Sequence, residues 1–184
     1  MSPPASSREV ILDAAEGIVL ESGARHMTLD AVAAKAGVSK GGLLYHFPTK
    51  EDLLKGMLER LLKHLEKRHE ENSRGLKEGP GREIKAFILS RMERDPKMMQ
   101  IGSAVLAAVA HDPGLLQPAR DEARKRLSKI MQSGVSFTRA AVIFFAVQGL
   151  NLTELLSLSP INAQERKEFA DELLKLADEE NIVP

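Results

Sequence analysis

The sequence predicts an all-α protein of about nine helices, with no β-sheet. Apolar residues recur at spacings of three and four along most of the chain, which is the period of an amphipathic helix. Helix-capping pairs, such as Ser6 with Glu9, stand before several of these segments. No segment shows the strict alternation of apolar and polar residues that marks a half-buried strand. The fold class therefore follows from the periodicity, the caps and the missing alternation together.

The composition is that of an ordinary globular protein. Hydrophobic residues make up 43% of the 184 residues and charged residues make up 28%, which is typical of a soluble domain. The 26 basic and 26 acidic residues cancel, so the overall charge gives no argument for a nucleic-acid partner. Cysteine is absent, which excludes disulfides, thiolate metal sites and a cysteine nucleophile.

The amino terminus and the apolar runs predict a cytoplasmic protein without a membrane partner. The first ten residues lack the apolar core of a signal peptide. The longest apolar run, Ala140–Val147, is too short to span a bilayer.

The first predicted helix follows a short polar arm, Met1–Ser6. The helix begins at the Ser6–Glu9 capping pair and ends near Ser22, because Gly23 stops it. Its apolar side is expected to brace the two helices that follow. The core that the three helices should share consists of Ile11, Ile18, Val32, Leu43 and Phe47.

The stretch from Thr28 to Lys50 contains two short helices joined by a glycine turn. Thr28 caps the first helix and Ser39 caps the second. Gly37 supplies the backbone freedom that the turn requires, and Pro48 closes the second helix. This arrangement is the helix-turn-helix of DNA readers, whose second helix enters the major groove. Lysines also give the segment a local cationic face, formed by Lys35, Lys40 and Lys50.

This segment resembles the DNA-binding domain of the tetracycline-repressor (TetR) family of bacterial transcription regulators. The resemblance lies in Thr28, in the turn AGVS (Ala36–Ser39) and in the run KGGLLYHFPTKEDLL (Lys40–Leu54). With Ile11–Gly23 it covers about the first third of the chain. It implies a DNA-binding domain over residues 1–48 and a helical ligand-binding and dimerisation domain over residues 49–184. The implied protein is a homodimeric repressor, released from a palindromic double-stranded DNA operator by a small-molecule effector.

The predicted DNA-binding residues lie in or beside the second helix of the motif. Lys40 is expected to reach guanine acceptors, and Leu44 is expected to contact a thymine methyl group. Gly41 and Gly42 let the backbone approach the groove closely. The residues expected at or near phosphates are Thr28, Ser39, Tyr45, His46 and Lys50.

The remaining helices follow without a strand between them. A long helix over Lys50–Ser73 begins in the DNA-binding domain and becomes polar towards its end. After the loop Gly75–Gly81, helices are predicted at 82–94, 96–111, 118–133 and 137–157. The helix that starts at Phe137 is apolar nearly all round over its first half, which requires burial on several sides. Asn162 and Glu165 cap the last helix.

The second domain has the apolar residues that a small-molecule cavity needs, although ordinary helix packing explains the same residues equally well. The predicted pocket residues are His64, Phe87, Met92, Met99, Ser103, Phe144, Phe145, Gln148 and Asn151. They indicate no particular ligand.

The helices Phe137–Ser157 and Asn162–Glu179 form the predicted dimer interface, because the resemblance places a four-helix contact there. The expected interface residues are Phe145, Leu152, Leu156, Phe169, Leu173 and Leu176. The alternative role of Phe169 and Leu173 is to cover only the core of their own protomer.

An enzyme is the competing class of function. Residues Gly37–Gly41 match G-x-S-x-G, the nucleophile elbow of α/β-hydrolases, with Ser39 as nucleophile. That motif needs a preceding strand, whereas the residues before it are predicted to be helical. His64 and His69 lie five residues apart, off a common helix face, and no carboxylate is arranged as a further metal ligand. We therefore expect no catalysis, no metal and no cofactor. The third class is a helical interaction module, which negligible DNA binding at low salt would identify.

Overall fold

A computed structural model describes residues 6–109, 112–132 and 134–178. Within these ranges the chain forms nine α-helices and two short 3₁₀ helices. Because no strand occurs in these ranges, the predicted all-α fold is confirmed. None of the described helices combines the length and the hydropathy needed to cross a membrane. In chain order the α-helices are α1 (Ser7–Ser22), α2 (Leu29–Ala36), α3 (Lys40–His46), α4 (Lys50–Arg74), α5 (Arg82–Met92), α6 (Pro96–Val109), α7 (Gln117–Met131), α8 (Phe137–Leu155) and α9 (Ala163–Asp178).

The 3₁₀ helices, Ala24–His26 and Pro113–Leu116, are features that the sequence analysis did not predict. Before the second of them, Asp112 Oδ1 accepts a hydrogen bond from the Gly114 N–H at 2.8 Å. The connection between the predicted helices 96–111 and 118–133 therefore contains a short helix. Some predictions fall outside the described residues: most of the polar arm, the end of the helix predicted at 96–111, Ser133 and Glu179.

Contacts divide the chain into two compact units. The first unit contains Met1–Leu61 and Asp95–Ala119, and the second contains Leu62–Arg94 and Arg120–Pro184. This division differs from the boundary at residue 48 that the sequence suggests, because α6 packs against α1 and so belongs with the amino-terminal helices.

The core of the first unit joins α1, α2, α3 and the start of α4. All the residues expected to share this core are buried: Ile11, Ile18, Val32, Leu43 and Phe47. Gly56 of α4 lies so close to α3 that a Cβ atom there would come within 2.7 Å of the Cε1 atom of Phe47. Arg60 of α4 pairs with Asp13 and Glu16 of α1. Close backbone approach and ion pairing therefore hold the start of α4 against the three-helix motif.

The core of the second unit is built from α5, α7, α8 and α9. Its buried apolar residues are Ile84, Phe87, Ile88, Ile130, Ala140, Ile143, Phe144, Val147, Leu173 and Ala177. Phe87 and Phe144 stack with their ring centroids 5.3 Å apart. Arg166 Nε of α9 lies 2.7 Å from Glu154 Oε1 of α8, and only 4% of the Glu154 side chain is exposed. A buried ion pair of this kind is costly to break, because one charge would then stay buried alone.

Capping side chains secure two of the helix starts that the sequence marks. Thr49 Oγ1 accepts a hydrogen bond from the Asp52 N–H at 3.0 Å, and Asp52 Oδ2 accepts one from the Thr49 N–H at 3.1 Å. Asn162 and Glu165 make the same reciprocal pair before α9. Each pair satisfies two backbone donors that have no partner within the helix.

The turn between α2 and α3 gives a prediction about stability. Gly37 has φ +67° and ψ +27°, in the left-handed region, where a Cβ atom costs about 1–2 kcal/mol. Gly37→Ala should therefore lower the free energy of unfolding by about that amount, measured by urea denaturation at neutral pH.

Gly41→Ala is the matched control for this prediction. Gly41 lies within α3 and a Cβ atom there would meet nothing within 4 Å. Alanine should therefore raise the stability by up to about 1 kcal/mol through its helix propensity. Equal effects of the two substitutions would contradict the left-handed turn.

Candidate functional site

Helix α3 has one face in the core and one face in solvent. Leu43 is fully buried, and Phe47 just after the helix is 2% exposed. Gly41 and Tyr45, four residues apart, lie on the opposite face, and 85% of Tyr45 is exposed. Lys40, three residues before Leu43, is exposed at the start of the helix. Gly41 and Tyr45 therefore share one solvent-facing side of α3, and Lys40 lies at its amino-terminal end.

The two capping hydroxyls have defined roles in the motif. Thr28 Oγ1 accepts a hydrogen bond from the Ala31 N–H at 3.2 Å, at the start of α2. Ser39 Oγ accepts one from the Gly42 N–H at 3.1 Å, at the start of α3. Each hydroxyl keeps its own proton for donation. Both residues can therefore hold a helix start and donate to a phosphate oxygen.

The arrangement around Ser39 does not provide the scaffold of a hydrolase. The residues before it form α2 rather than a strand, and the described ranges contain no strand elsewhere. Within the same ranges, no group of three or more His, Asp or Glu side chains could hold a metal ion. Ser39 is a helix cap by geometry.

The two glycines of α3 differ in their surroundings. A Cβ atom on Gly42 would lie 3.3 Å from Ser39 Oγ, so glycine at this position makes room for the cap. A Cβ atom on Gly41 would meet nothing within 4 Å. Gly41 has no side chain to cover the backbone on the solvent face of α3, so the surface of another molecule can approach the backbone there.

The remaining predicted DNA-binding residues lie beside this face. Leu44 and His46 are half-buried, and the rings of Tyr45 and His46 meet edge to face at 5.1 Å between centroids. Lys50 is the first residue of α4 and is also half-buried.

The cationic face is partly neutralised by acids that the sequence analysis did not connect with it. Lys40 Nζ lies 2.8 Å from Asp30 Oδ1, and Lys35 Nζ lies 2.6 Å from Glu21 Oε2. Lys50 has no ion-pair partner among the residues that the structure describes. Glu21 lies on α1 and Asp30 lies on α2. The sequence of the turn and of α3 alone therefore does not reveal these ion pairs.

The predicted pocket residues are divided between the two units. Met99 and Ser103 lie on α6 in the first unit, whereas the others belong to the second. Phe87 and Phe144 are core residues, and Met92 packs against that core. Phe145 points away from it, with 67% of its surface exposed.

The structure also shows where the polar residues of the predicted pocket lie. His64 and Gln148 are half-buried. The amide nitrogen of Asn151 donates a hydrogen bond to the Val147 carbonyl at 2.8 Å, within its own helix.

A polar cavity of the second unit includes none of the predicted pocket residues. Its volume is about 230 Å³, and its lining residues are Glu66, His69, Glu70, Ser73, Arg74, Glu83 and Lys129. His69 is 4% exposed, and its Nε2 atom lies 3.1 Å from Glu83 Oε2. Its Nδ1 atom is buried without a hydrogen-bond partner in the described part of the chain. The sequence does contain an indication that His69 is buried. His69 follows Leu61 and Leu65 at steps of four residues and so lies on the apolar side of the same helix.

The exposed apolar surface of the second unit lies largely on α8. Along one side of this helix Phe145 is 67% exposed, Leu152 49% and Leu156 47%. Leu173 of α9 is 3% exposed, and Phe169 and Leu176 are half-buried against the same core. The expected interface residues thus separate into an exposed group on α8 and a group on α9 that covers the protomer's own core. Val142 and Phe137, which were not predicted, add to the exposed group.

The ion pair at the start of α3 predicts how one acid limits DNA affinity. Asp30→Asn leaves Lys40 unpaired and removes a negative charge close to where phosphates would bind. Affinity for a duplex of arbitrary sequence should rise by up to about fivefold, and binding should weaken more steeply with salt. Fluorescence anisotropy across a salt series measures both quantities.

Glu71→Gln is the charge-matched control, because Glu71 is an exposed acid on α4. It should leave the affinity unchanged. An equal rise in both variants would show an effect of overall charge rather than of the Lys40–Asp30 pair.

The burial of His69 predicts a pH-dependent stability. Burial lowers the pKa of His69 from its usual 6.5, while the hydrogen bond to Glu83 opposes the shift. The unfolded chain therefore binds more protons as the pH falls through 6.5, and folding stability is lost there. His69→Gln should remove this loss between about pH 7 and pH 5, as measured by urea denaturation at several pH values. His64→Gln, in the same helix, should still lose stability as the pH falls. If His69→Gln has the same pH profile of stability as the unchanged protein, the loss does not come from His69.

Comparison with known proteins agrees with this geometry. The sequence model described as "Bacterial regulatory proteins, tetR family" matches residues 11–57. The model described as "Tetracyclin repressor-like, C-terminal domain" matches residues 81–178, which is more than half of the chain. The HTH-type transcriptional repressor BepR of Brucella suis biovar 1 (strain 1330) is 41% identical over 56 residues, which are 30% of this chain and 27% of BepR.

Solved structures resemble the chain over nearly its whole length. A transcriptional regulator from Rhodococcus sp. Rha1 has a TM-score of 0.72 at 25% identity, covering 94% of this chain and 96% of that one. The multidrug binding protein EbrR, complexed with imidazole, has a TM-score of 0.69 at 21% identity, covering 97% and 98%. Other structures of EbrR contain ethidium or malachite green. Both halves of the chain match the same family, and the chain belongs to the tetR family of bacterial regulatory proteins.

Proposed function

We propose that this chain is a transcriptional repressor that binds a two-fold symmetric DNA operator as a homodimer and leaves it when a small molecule binds. The observation that carries the proposal is the solvent face of α3, where Gly41 and Tyr45 lie opposite the buried Leu43 and Lys40 is exposed at the start of the helix. A second helix of the motif with this rotation presents polar and aromatic groups to the major groove. A bacterial regulator with this role works in the cytoplasm, where the chromosome lies.

The contacts with DNA divide into base readout and backbone positioning. Lys40 donates to guanine acceptors, and Leu44 packs against a thymine methyl group. The Lys40 ammonium first has to leave Asp30, and since exposed ion pairs are weak, a guanine or a phosphate can replace the carboxylate. The phosphate contacts come from the cap hydroxyls and their neighbours: Thr28, Ser39, Tyr45, His46 and Lys50.

The homodimer is proposed from the apolar side of α8. Phe145, Leu152 and Leu156 are each about half exposed or more, and together they form a contiguous stripe at helical spacing. A second copy of α8 can cover this stripe, since a two-fold contact uses the same patch on both protomers. The dimer would set two α3 helices about one turn of DNA apart, at roughly 34–36 Å, which requires a nearly palindromic operator.

The effector site is proposed for the second unit. EbrR, whose fold this chain shares, is a multidrug binding protein solved with organic ligands. The cavity beside His69 is lined by acids and a lysine, among them Glu66, Glu70 and Lys129. An effector with an N–H or O–H donor can pair with these carboxylates. For a nearly complete switch, the effector has to bind the released form about 10⁴-fold more tightly than the DNA-bound form.

Fluorescence anisotropy on DNA tests the function. The duplexes are the region upstream of the protein's own gene and a scrambled version, both at near-physiological salt. A preference of about 10³-fold or more for the first duplex is expected of a sequence-specific regulator. Tyr45→Ala should weaken this binding while helicity stays unchanged. Negligible binding to both duplexes even at low salt would overturn the proposal and would favour a helical interaction module.

The dimer surface is tested in the same experiment with a change on α8. Leu152→Glu places a charge on the exposed stripe without touching the protomer's core, so the protein should remain folded but become monomeric. Operator affinity should fall by about 10²-fold or more, because one half-site contributes only part of the binding free energy. Met131→Glu, at an exposed apolar residue of α7, is the matched control and should stay dimeric. A Leu152→Glu dimer in sedimentation equilibrium would place the interface elsewhere.

A further inference from the structure

A cavity of about 420 Å³ lies within the first unit, and none of the predicted pocket residues lines it. Its lining comes from the 3₁₀ helix at Ala24–His26 and the following Met27, from the start of α4, from α6 and from the second 3₁₀ helix. Its volume falls in the range of small-molecule sites in proteins. We propose that this cavity binds a small amphipathic molecule without net charge, with its apolar part inside and a hydroxyl or amide group at the mouth.

The floor of the cavity is apolar and belongs to the packed core of the first unit. Met27 is 1% exposed, Leu54 4%, Ala104 7% and Leu115 4%. The rest of the apolar lining consists of alanines: Ala24, Ala107 and Ala108. These residues keep the volume open because alanine has no side-chain atom beyond Cβ. An alkyl or aryl group placed here would be removed from water and would contact apolar atoms on several sides, which favours binding.

The charged side chains that line the cavity balance one another. Two cations, Arg25 and Lys50, occur together with two carboxylates, Glu51 and Asp112. Lys50 is half-buried and the other three residues are exposed, so this group lies at the mouth. An ionic ligand would meet two side chains of opposite charge and two of like charge, and attraction and repulsion would largely cancel. It would also lose part of its hydration, which costs free energy. The mouth therefore favours a ligand without net charge.

The mouth offers both kinds of hydrogen-bonding partner to a neutral polar group. Carboxylates accept hydrogen bonds, whereas lysine and arginine side chains only donate them. A hydroxyl or amide of the ligand can donate to Glu51 or Asp112 and accept from Arg25 or Lys50. The ligand is thus held by its apolar part in the floor and oriented by one neutral polar group at the mouth.

Methyl NMR on the full-length protein tests the site without DNA, so the site can fail independently of the proposed function. The protein is deuterated and labelled at the methionine methyl groups, and the Met27 resonance is assigned with Met27→Leu. The probe is 1-octanol, and octanoate and octylammonium are the anionic and cationic probes of the same chain length. Octanol should shift the Met27 resonance to saturation and give an intermolecular NOE to the Met27 methyl group. Its affinity should exceed that of each ion by about tenfold or more.

Two results of this experiment would overturn the proposal. The first is a Met27 methyl group that octanol neither shifts nor contacts by NOE, because the apolar floor is then not occupied. The second is an ion that binds as tightly as octanol, because the class of ligand is then wrong.

A larger side chain in the wall tests the location. Ala108 is a half-buried residue of α6 that lines the cavity, so Ala108→Leu should fill part of the volume and weaken octanol binding about tenfold or more. Ala119→Leu is the matched control, because Ala119 is a half-buried alanine of α7 outside the lining, and it should bind octanol as the unchanged protein does. A folded Ala108→Leu variant with unchanged affinity would overturn the location. If this variant does not fold, the NOE to Met27 in the unchanged protein decides the location.

Removal of one charge tests the balance at the mouth. Lys50→Gln leaves one cation with two carboxylates, so the affinity for octylammonium should rise by up to about fivefold relative to octanol. Glu51→Gln leaves two cations with one carboxylate, and the affinity for octanoate should rise by a similar factor. Lys55→Gln, at an exposed lysine of α4 outside the lining, should change neither ratio. Unchanged ratios in both Lys50→Gln and Glu51→Gln would overturn charge balance as the origin of the preference for a neutral ligand.

Discussion

The burial of Leu43 and Phe47 is the contact on which the rest of the DNA-binding unit depends. These two side chains set the rotation of α3 about its axis, and so decide which residues of this short helix face solvent. The left-handed turn at Gly37 sets the direction in which α3 leaves α2. Gly56 allows α4 to approach the ring of Phe47. A helix of seven residues has little stability of its own, so its orientation comes from this packing.

The net charge of the protein is zero, so its charged surfaces are local groups of side chains. Lys35 pairs with Glu21 and Lys40 pairs with Asp30, whereas Lys50 has no ion-pair partner among the described residues. Exposed ion pairs contribute little to stability, and phosphates can replace the carboxylates at small cost. On the proposed function, the pairs would reduce non-specific attraction to DNA without preventing a specific fit. Lys50 also lines a cavity of the first unit.

The second unit uses its apolar residues in two ways. Leu173 of α9 is buried in the core, and the buried ion pair between Glu154 and Arg166 links α9 to α8. Helix α8 is apolar on both sides, so Phe144 faces the core while Phe145 faces solvent. In the proposed homodimer, a second copy of the chain would cover this solvent side. Burial of His69 in a polar cavity gives the unit a group whose protonation opposes folding.

The sequence by itself determined the features that depend on neighbouring residues. The helices, the reciprocal caps at Thr49 and Asn162, the glycine turn and the core positions of the motif all follow from local spacing and backbone chemistry. Tertiary structure alone decided which acids neutralise the lysines, which side of α8 stays exposed, and that α6 belongs with the amino-terminal helices. It also decided the cavities, whose walls come from helices far apart in the chain. Periodicity shows that a helix has an apolar side, but the element that covers this side is set by long-range packing, which no local pattern contains.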